Sequence, residues 1–314
     1  MDIEYLLLLQ NLRTATGGKL DSWMSYMTTY GEGLLTMMLV AAIYWCISKR
    51  EGICIMLSWG TANILNGILK VTACVYRPWI RDARVQPVQS AIAKATGYSF
   101  PSGHTTNATA VYGSQALNKQ LSKPLRCLFG VLILLVGFSR NYLGVHTPQD
   151  VLVGFAATVV VLFFVRWVLK LVEEKPRLDV AVLVAGLLLT AGVIVYAACK
   201  SYPMDYDSDG KLIVDPAKMV IDTYKNCGFF LAVLVSWFVD RRWLHYEAEG
   251  TPMHRVTCYM AGMLGYFVVL YVLVPLLPST LVGSLLNNFI RLTYVMLVVP
   301  FLIRKCSRKA APQA

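Results

Sequence analysis

The sequence predicts an all-α, polytopic membrane helix bundle of about nine transmembrane helices, with the N-terminus outside and the C-terminus cytoplasmic. Three observations carry this. Hydrophobic residues make up 56% of the 314 and charged residues 15%, with a mean hydropathy of +0.54. A soluble domain averages about 45–50% apolar and about 25% charged. Eight runs approach the ~20 apolar residues that a crossing requires. Lysines and arginines collect on alternate connections between those runs. The composition excludes a disordered chain, and the length excludes a disulfide-stapled miniprotein. The net charge of +11 is dispersed between apolar runs rather than gathered on one face, so nucleic acid is not an expected partner.

The elements follow in order. Residues 1–31 open with MDIEYLLLLQNLRTATGG, which lacks the positive start and small-residue cleavage site of a signal peptide. Ile3, Leu6, Leu7 and Leu9 suit a short amphipathic helix at the membrane interface. The expected spans are 32–48, 53–75, 124–143, 149–170, 178–199, 218–240, 255–276 and 283–304. The segment 103–118 is short and polar, yet it must cross if its neighbours are to keep a consistent orientation. Sixteen of the 29 basic residues then fall on one side, around Lys49, Lys119, Lys170, Arg241 and Arg304. The opposite side carries an acidic loop, 200–218, and a neutral one, 277–288. Positive-inside bias places the basic side in the cytoplasm. The expected organisation is an interfacial segment (1–31), a catalytic core of helices (32–176) and additional C-terminal helices (177–314). None of the eight cysteines sits in a C-x-x-C, and most lie in apolar runs, where a thiol acts as a small hydrophobe.

Three stretches carry chemistry, and this topology puts all of them on the outer face. They are Lys70-x6-Arg77-Pro78, Pro101-Ser102-Gly103-His104 and Ser139-Arg140-x5-His146-x3-Asp150. Charge beside a bilayer is costly and marks function by default. Lys70, Arg77 and Arg140 are three cations suited to an oxyanion; arginine forks match phosphate, and lysine adds a point charge. Ser102 and Gly103 stand where a helix begins, so backbone N–H groups and the positive dipole end face an anion. Thr147-Pro148 reads as the cap and first residue of the next helix, which puts Asp150 in its first turn beside His146. The carboxylate can fix one imidazole nitrogen and leave the other free to attack. His104 then remains to protonate the leaving oxygen. Positioning and charge carry most of phosphoryl transfer, so the set calls for no cofactor or metal.

These three motifs resemble the signature of the type 2 phosphatidic acid phosphatase (PAP2) superfamily, integral membrane lipid phosphatase branch, with every residue and spacing matched over roughly residues 50–160. The resemblance implies a phosphohistidine mechanism: His146 as nucleophile, Asp150 as its partner and His104 as general acid. Lys70, Arg77, Ser102, Gly103 and Arg140 would hold the phosphoryl group. Nine spans with an outer N-terminus are similar in architecture to the glucose-6-phosphatase branch. The expected activity is hydrolysis of a lipid phosphate or diphosphate at the outer membrane surface, with membrane lipids as surroundings and a bacterial plasma membrane as location. Sugar-phosphate hydrolysis and lipid phosphotransfer use the same site, and a transporter or lipid-binding scaffold is the non-enzymatic alternative. No residue pattern speaks to oligomeric state.

Other residues stand out less. Asn66 lies one turn before Lys70, and Asn63 one turn before that; each suits either orienting the lysine or helix–helix hydrogen bonding. Arg291 in the last span, with Asn287 and Asn288 before it, suits a polar cavity or a structural pair. His245 and His254 read as solvated. The loop 79–100 is expected to cover the site, with Arg81, Arg84 and Lys94 attracting anions. Asp205, Asp207 and Asp209 resemble the start of a calcium loop, but position 12 is Pro216 rather than Glu, which makes a metal there a weak candidate.

Overall fold

The computed structural model describes residues 2–31, 33–93 and 95–310, with side chains to Lys305. Lys94 lies outside the described residues. The described chain is all-helical, with one isolated antiparallel bridge between Tyr206 and Leu212. Among the described residues, seven helices are long and apolar enough to cross a membrane: Lys49–Arg81, Lys123–Tyr142, Pro148–Glu174, Leu178–Cys199, Pro216–Leu244, Pro252–Leu276 and Leu281–Lys305. Counting the broken pair Asp21–Gly31 and Leu34–Ile47 as one span makes eight.

The helices that matter for the site are α1 (Asp2–Ala15), α2 (Asp21–Thr28), α3 (Leu34–Ala42), α4 (Lys49–Ala73), α5 (Pro78–Arg81), α6 (Gln89–Ile92), α7 (Gly103–Leu117), α8 (Lys123–Tyr142) and α9 (Pro148–Glu174). They are followed by α10 (Leu178–Cys199), α11 (Pro216–Val239), α12 (Pro252–Val268), α13 (Leu281–Thr293) and α14 (Val299–Ala310). The 15-residue α7 covers the segment expected as the most polar crossing. At ~1.5 Å per residue it is short against a hydrocarbon core of ~30 Å. Eleven of its residues, among them His104, Thr105, Thr106 and Gln115, are buried. Protein rather than lipid surrounds it, so its polar composition carries no desolvation cost against hydrocarbon.

The chain packs as two compact units. The first comprises Met1–Thr36, Ala62–Phe163 and Ala197–Val220. Glycines let its backbones approach α7 closely. A Cβ at Gly154 of α9 would lie 2.9 Å from the Ser102 carbonyl, and one at Gly31 would lie 2.9 Å from the His104 carbonyl. The loop after α5 is anchored rather than loose. Trp79, Val88, Ala91 and Ala95 pack with Met24, Tyr142, Leu143 and Val145. Arg81 pairs with Asp2 at 3.0 Å, and Arg84 with Glu4 at 3.0 Å and Asp82 at 2.8 Å. Gln10 accepts from Gln86 N at 2.7 Å and donates to Arg84 O at 3.1 Å. The two arginines expected to attract anions are therefore engaged by carboxylates, mostly of α1.

The second unit comprises Met37–Thr61, Phe164–Tyr196 and Ile221–Ala314. Its charged residues pair with one another: Lys49 with the buried Asp240 at 2.8 Å, and Arg242 with Asp179 at 2.6 Å. Arg291 donates to Tyr266 Oη at 3.0 Å and to Asn288 Oδ1 at 3.3 Å, while Asn288 donates to Lys225 O at 2.9 Å. That chain of bonds gives the intramembrane guanidinium a structural pairing. His245 is exposed, and its φ of 46° closes the turn after Leu244.

Candidate active site

The eight candidate catalytic and phosphate-binding residues all lie in the first unit. The pair at its centre is built by a helix start. Thr147 caps α9: its Oγ1 accepts from Asp150 N at 3.3 Å, and Asp150 Oδ2 accepts from Thr147 N at 2.8 Å. This reciprocal capping arrangement fixes the Asp150 side chain. The preceding turn fixes His146. Its backbone N–H and that of Val145 both donate to Arg140 O, at 3.3 and 3.2 Å, and Asn141 Nδ2 donates to His146 O at 2.9 Å. Gly144, with φ of 73°, closes the turn in the left-handed region.

The imidazole is 2% exposed and held from both ends. Arg77 Nη1 lies 2.9 Å from Nε2. A guanidinium only donates, so Nε2 accepts and the proton sits on Nδ1. Nδ1 faces Asp150 Oδ2 and Ser99 Oγ, each at 3.4 Å. Those contacts are longer than a strong hydrogen bond and have room to tighten as charge develops. Burial, and next the Arg77 charge, push the His146 imidazolium well below its ordinary value, with Asp150 pulling the other way. The ring is therefore neutral near pH 7, with a lone pair on Nε2 directed at a cation.

Arg77 itself is held by backbone carbonyls: Nε donates to Gly97 O at 3.0 Å and Nη1 to Val145 O at 2.9 Å. Lys70 Nζ donates to Tyr98 O at 3.0 Å and Pro101 O at 2.9 Å. Asn66 donates to the same Pro101 carbonyl at 3.4 Å and to Thr106 Oγ1 at 2.9 Å. Asn66 and Lys70 thus share one target, the extended stretch that leads into α7.

Ser102 caps α7. Its Oγ accepts from Thr105 Oγ1 at 2.9 Å, and its own N–H is committed to Asp150 O at 2.9 Å. That last bond ties the start of α7 to the first turn of α9. A Cβ built at Gly103 meets nothing within 4 Å, so the helix start is open there. His104 follows as the second residue of α7 and is buried, as is Arg140, whose charge acts on both Arg77 and His146. The aspartates that resemble the start of a calcium loop are engaged apart from the motif residues. Asp205 Oδ2 accepts from Tyr76 Oη at 2.6 Å, and Asp207 Oδ1 accepts from the N–H groups of Asp209 and Lys211 at 2.9 Å. Among the described residues, no three His, Cys, Asp or Glu side chains gather as metal ligands.

Ser99 is the residue that sequence reasoning missed. It is fully buried and donates to Asp150 Oδ2 at 2.6 Å. Its position three residues before Ser102 was the available signal, but a serine in a loop carries no charge or periodicity to single it out. Ser99→Ala is expected to lower kcat about tenfold, the scale of one hydrogen bond to a charged group. Losing that donor leaves more carboxylate charge for the imidazole, so the acid limb of kcat/KM should move to higher pH. An unmoved pH profile would make Ser99 merely structural.

Residues 51–173, which include all eight candidate site residues, match the model of the PAP2 superfamily, and residues 224–310 match that of the PAP2 superfamily phosphatase transmembrane extension. The chain is 35% identical over 140 residues to phosphatidylglycerophosphatase B of Bacillus subtilis (strain 168), covering 42% of this chain and 64% of that relative. It is 31% identical over 150 residues to the undecaprenyl-diphosphatase BcrC of the same organism, covering 46% and 74%. It is 30% identical over 141 residues to an undecaprenyl-diphosphatase of Sulfolobus acidocaldarius, covering 43% and 64%. The similarity thus spans less than two thirds of the first and third relatives. No solved structure matches the chain significantly.

Proposed function

The chain belongs to the PAP2 superfamily, and from that premise we propose that it is a metal-independent membrane phosphatase acting on a lipid phosphate or diphosphate through a phosphohistidine. The observation that carries this reading is the imidazole held in one tautomer, with Nε2 unprotonated beside Arg77 and Nδ1 facing Asp150. In the first step Nε2 of His146 attacks phosphorus. The P–N bond forms, the bond to the alcohol or phosphate oxygen breaks, and His104 gives that oxygen its proton. In the second step water attacks the phosphohistidine, His104 takes a proton from it, and inorganic phosphate leaves. Arg77 donates to the very nitrogen that reacts, so an arriving phosphoryl oxygen can take over its N–H groups. Lys70, Arg140 and the open α7 start at Gly103 add positive charge where the transferring group develops negative charge.

Within this reading α7 is a ninth crossing, shielded by its neighbours. The alternation of basic connections then holds, with the N-terminus outside and the site on the extracytoplasmic face. The interfacial segment, catalytic core and C-terminal helices divide near residues 31 and 176, in a bacterial plasma membrane. A lipid is favoured over a sugar phosphate because the named relatives act on lipid phosphates.

The test is phosphate release by purified protein in detergent with EDTA present. The panel is phosphatidate, phosphatidylglycerophosphate, undecaprenyl diphosphate and glucose 6-phosphate. Release from at least one lipid that persists in EDTA is expected. Release only from glucose 6-phosphate would overturn the lipid assignment, and loss of all activity in EDTA would overturn the metal-independent mechanism.

A further inference from the structure

Arg77, whose guanidinium reaches His146, also lines a cavity of about 290 Å³. One wall comes from the segment after the Arg77-Pro78 motif, with Trp79 and Ile80; the other comes from Ile213, Val214, Asp215 and Lys218. That second wall lies between the two stretches matched to family models, 51–173 and 224–310. It is firmly placed. Val214 and Met219 pack with Val71 and Tyr98, and Tyr76 Oη holds Asp205 at 2.6 Å. Met219 sits so close to Gly97 that a Cβ there would lie 2.3 Å from its Cε. Gly97 in turn offers its carbonyl to Arg77 Nε at 3.0 Å, so the wall and the arginine are linked through one residue.

The charges at this cavity are Arg77, Lys218 and Asp215. Asp215 Oδ1 accepts from Ala217 N at 2.9 Å and caps α11, which engages its charge at a positive helix end. Two lysine or arginine cations therefore line one small cavity, one of them in contact with the reacting histidine. The volume is at the lower edge of the ~300–1,000 Å³ usual for ligand pockets. It admits a headgroup and is too small for a long hydrocarbon chain.

We propose that this cavity is a subsite for a second phosphate, carried by the leaving group next to the reacting phosphate, and that Lys218 is the specificity residue that binds it. The inference rests on the phosphatase reading and refines its substrate class. Two kinds of lipid carry such a group: a diphosphate, where the second phosphate is joined as an anhydride, and a glycerophosphate lipid, where a glycerol separates it as a diester. Phosphatidate carries one phosphate only and provides the reference.

The experiment measures kcat/KM of the full-length protein in detergent for undecaprenyl diphosphate, phosphatidylglycerophosphate and phosphatidate. The proteins are wild type, Lys218→Met and Lys218→Arg. For at least one two-phosphate lipid, the ratio of kcat/KM to that for phosphatidate is expected to fall about tenfold in Lys218→Met, chiefly through KM, as suits one lost charge-assisted contact at a half-buried site. Lys218→Arg should restore most of it. The lipid whose ratio falls identifies the spacing of the second phosphate. A ratio unchanged for both lipids, or Lys218→Arg behaving as Lys218→Met, overturns the subsite while leaving the phosphatase reading intact. Wild-type protein inert on all three lipids would overturn both.

Discussion

Replacing His146 with alanine is expected to reduce phosphate release about 10⁵-fold, the scale seen when a catalytic nucleophile is removed and the rest of the site remains. The variant should still fold. Arg77 keeps Gly97 O and Val145 O as acceptors, and Asp150 keeps the Ser99 hydroxyl and the Thr147 N–H. Neither of these two buried charges is left without a partner, so the usual cost of breaking a buried pair does not apply in full. The measurement that ties the loss to chemistry is trapping. With p-nitrophenyl phosphate the leaving group needs little protonation, so His104→Ala should pass the first step and stall at the second. Base-stable, acid-labile label from a ³²P-labelled aryl phosphate should then accumulate on His104→Ala and be absent from His146→Ala. Equal labelling of both variants would remove His146 from the nucleophile's role.

Much of this arrangement is legible in the sequence because the charged motif residues have no other plausible use beside a bilayer. Spacing alone brings His146 and Asp150 together, since a Thr-Pro helix start puts the residue three beyond the cap back onto the cap. The Thr147–Asp150 bonds realise that reading directly. Hydropathy finds the seven long apolar helices. It does not mark α7, whose buried face is lined by threonines and small residues, because a helix enclosed by protein need not be apolar. The glycines that admit it, Gly31 and Gly154, come from distant parts of the chain, and nothing in a single sequence pairs them. The same limit hides Ser99, and it hides the contact of α1 with the loop after α5. Arg81 and Arg84 read as anion attractors until Asp2 and Glu4 are seen beside them. Ser102 shows a subtler gap. Its place at a helix start is evident, yet its own N–H serves Asp150 O, and the open position is Gly103.

Asp150→Asn separates the two things a carboxylate can do for a histidine: select its tautomer and stabilise its charge. Asp150 Oδ2 receives the Thr147 N–H, the Ser99 hydroxyl and the approach of Nδ1. An asparagine must therefore place its carbonyl oxygen at that corner, because an NH₂ there would meet donors. Arg77 independently keeps the proton off Nε2. The tautomer is thus specified twice and should survive, so the variant loses charge alone. A unit charge about 4 Å from the ring is worth about 4 kcal/mol at an effective dielectric of about 20, or about 10³-fold. That loss should appear in kcat with KM little changed, because the ring becomes positive only as the P–N bond forms. The pH profile supplies the sign. In the free wild-type enzyme burial and Arg77 hold the imidazolium below its ordinary value of about 6.5, so the acid limb of kcat/KM lies below that pH. Asp150 opposes them through its hydrogen bond and charge, and removing it should move the limb lower still. A variant with wild-type kcat would show that His146 needs no anionic partner, and a limb displaced upward would show that the carboxylate does not act on this imidazole.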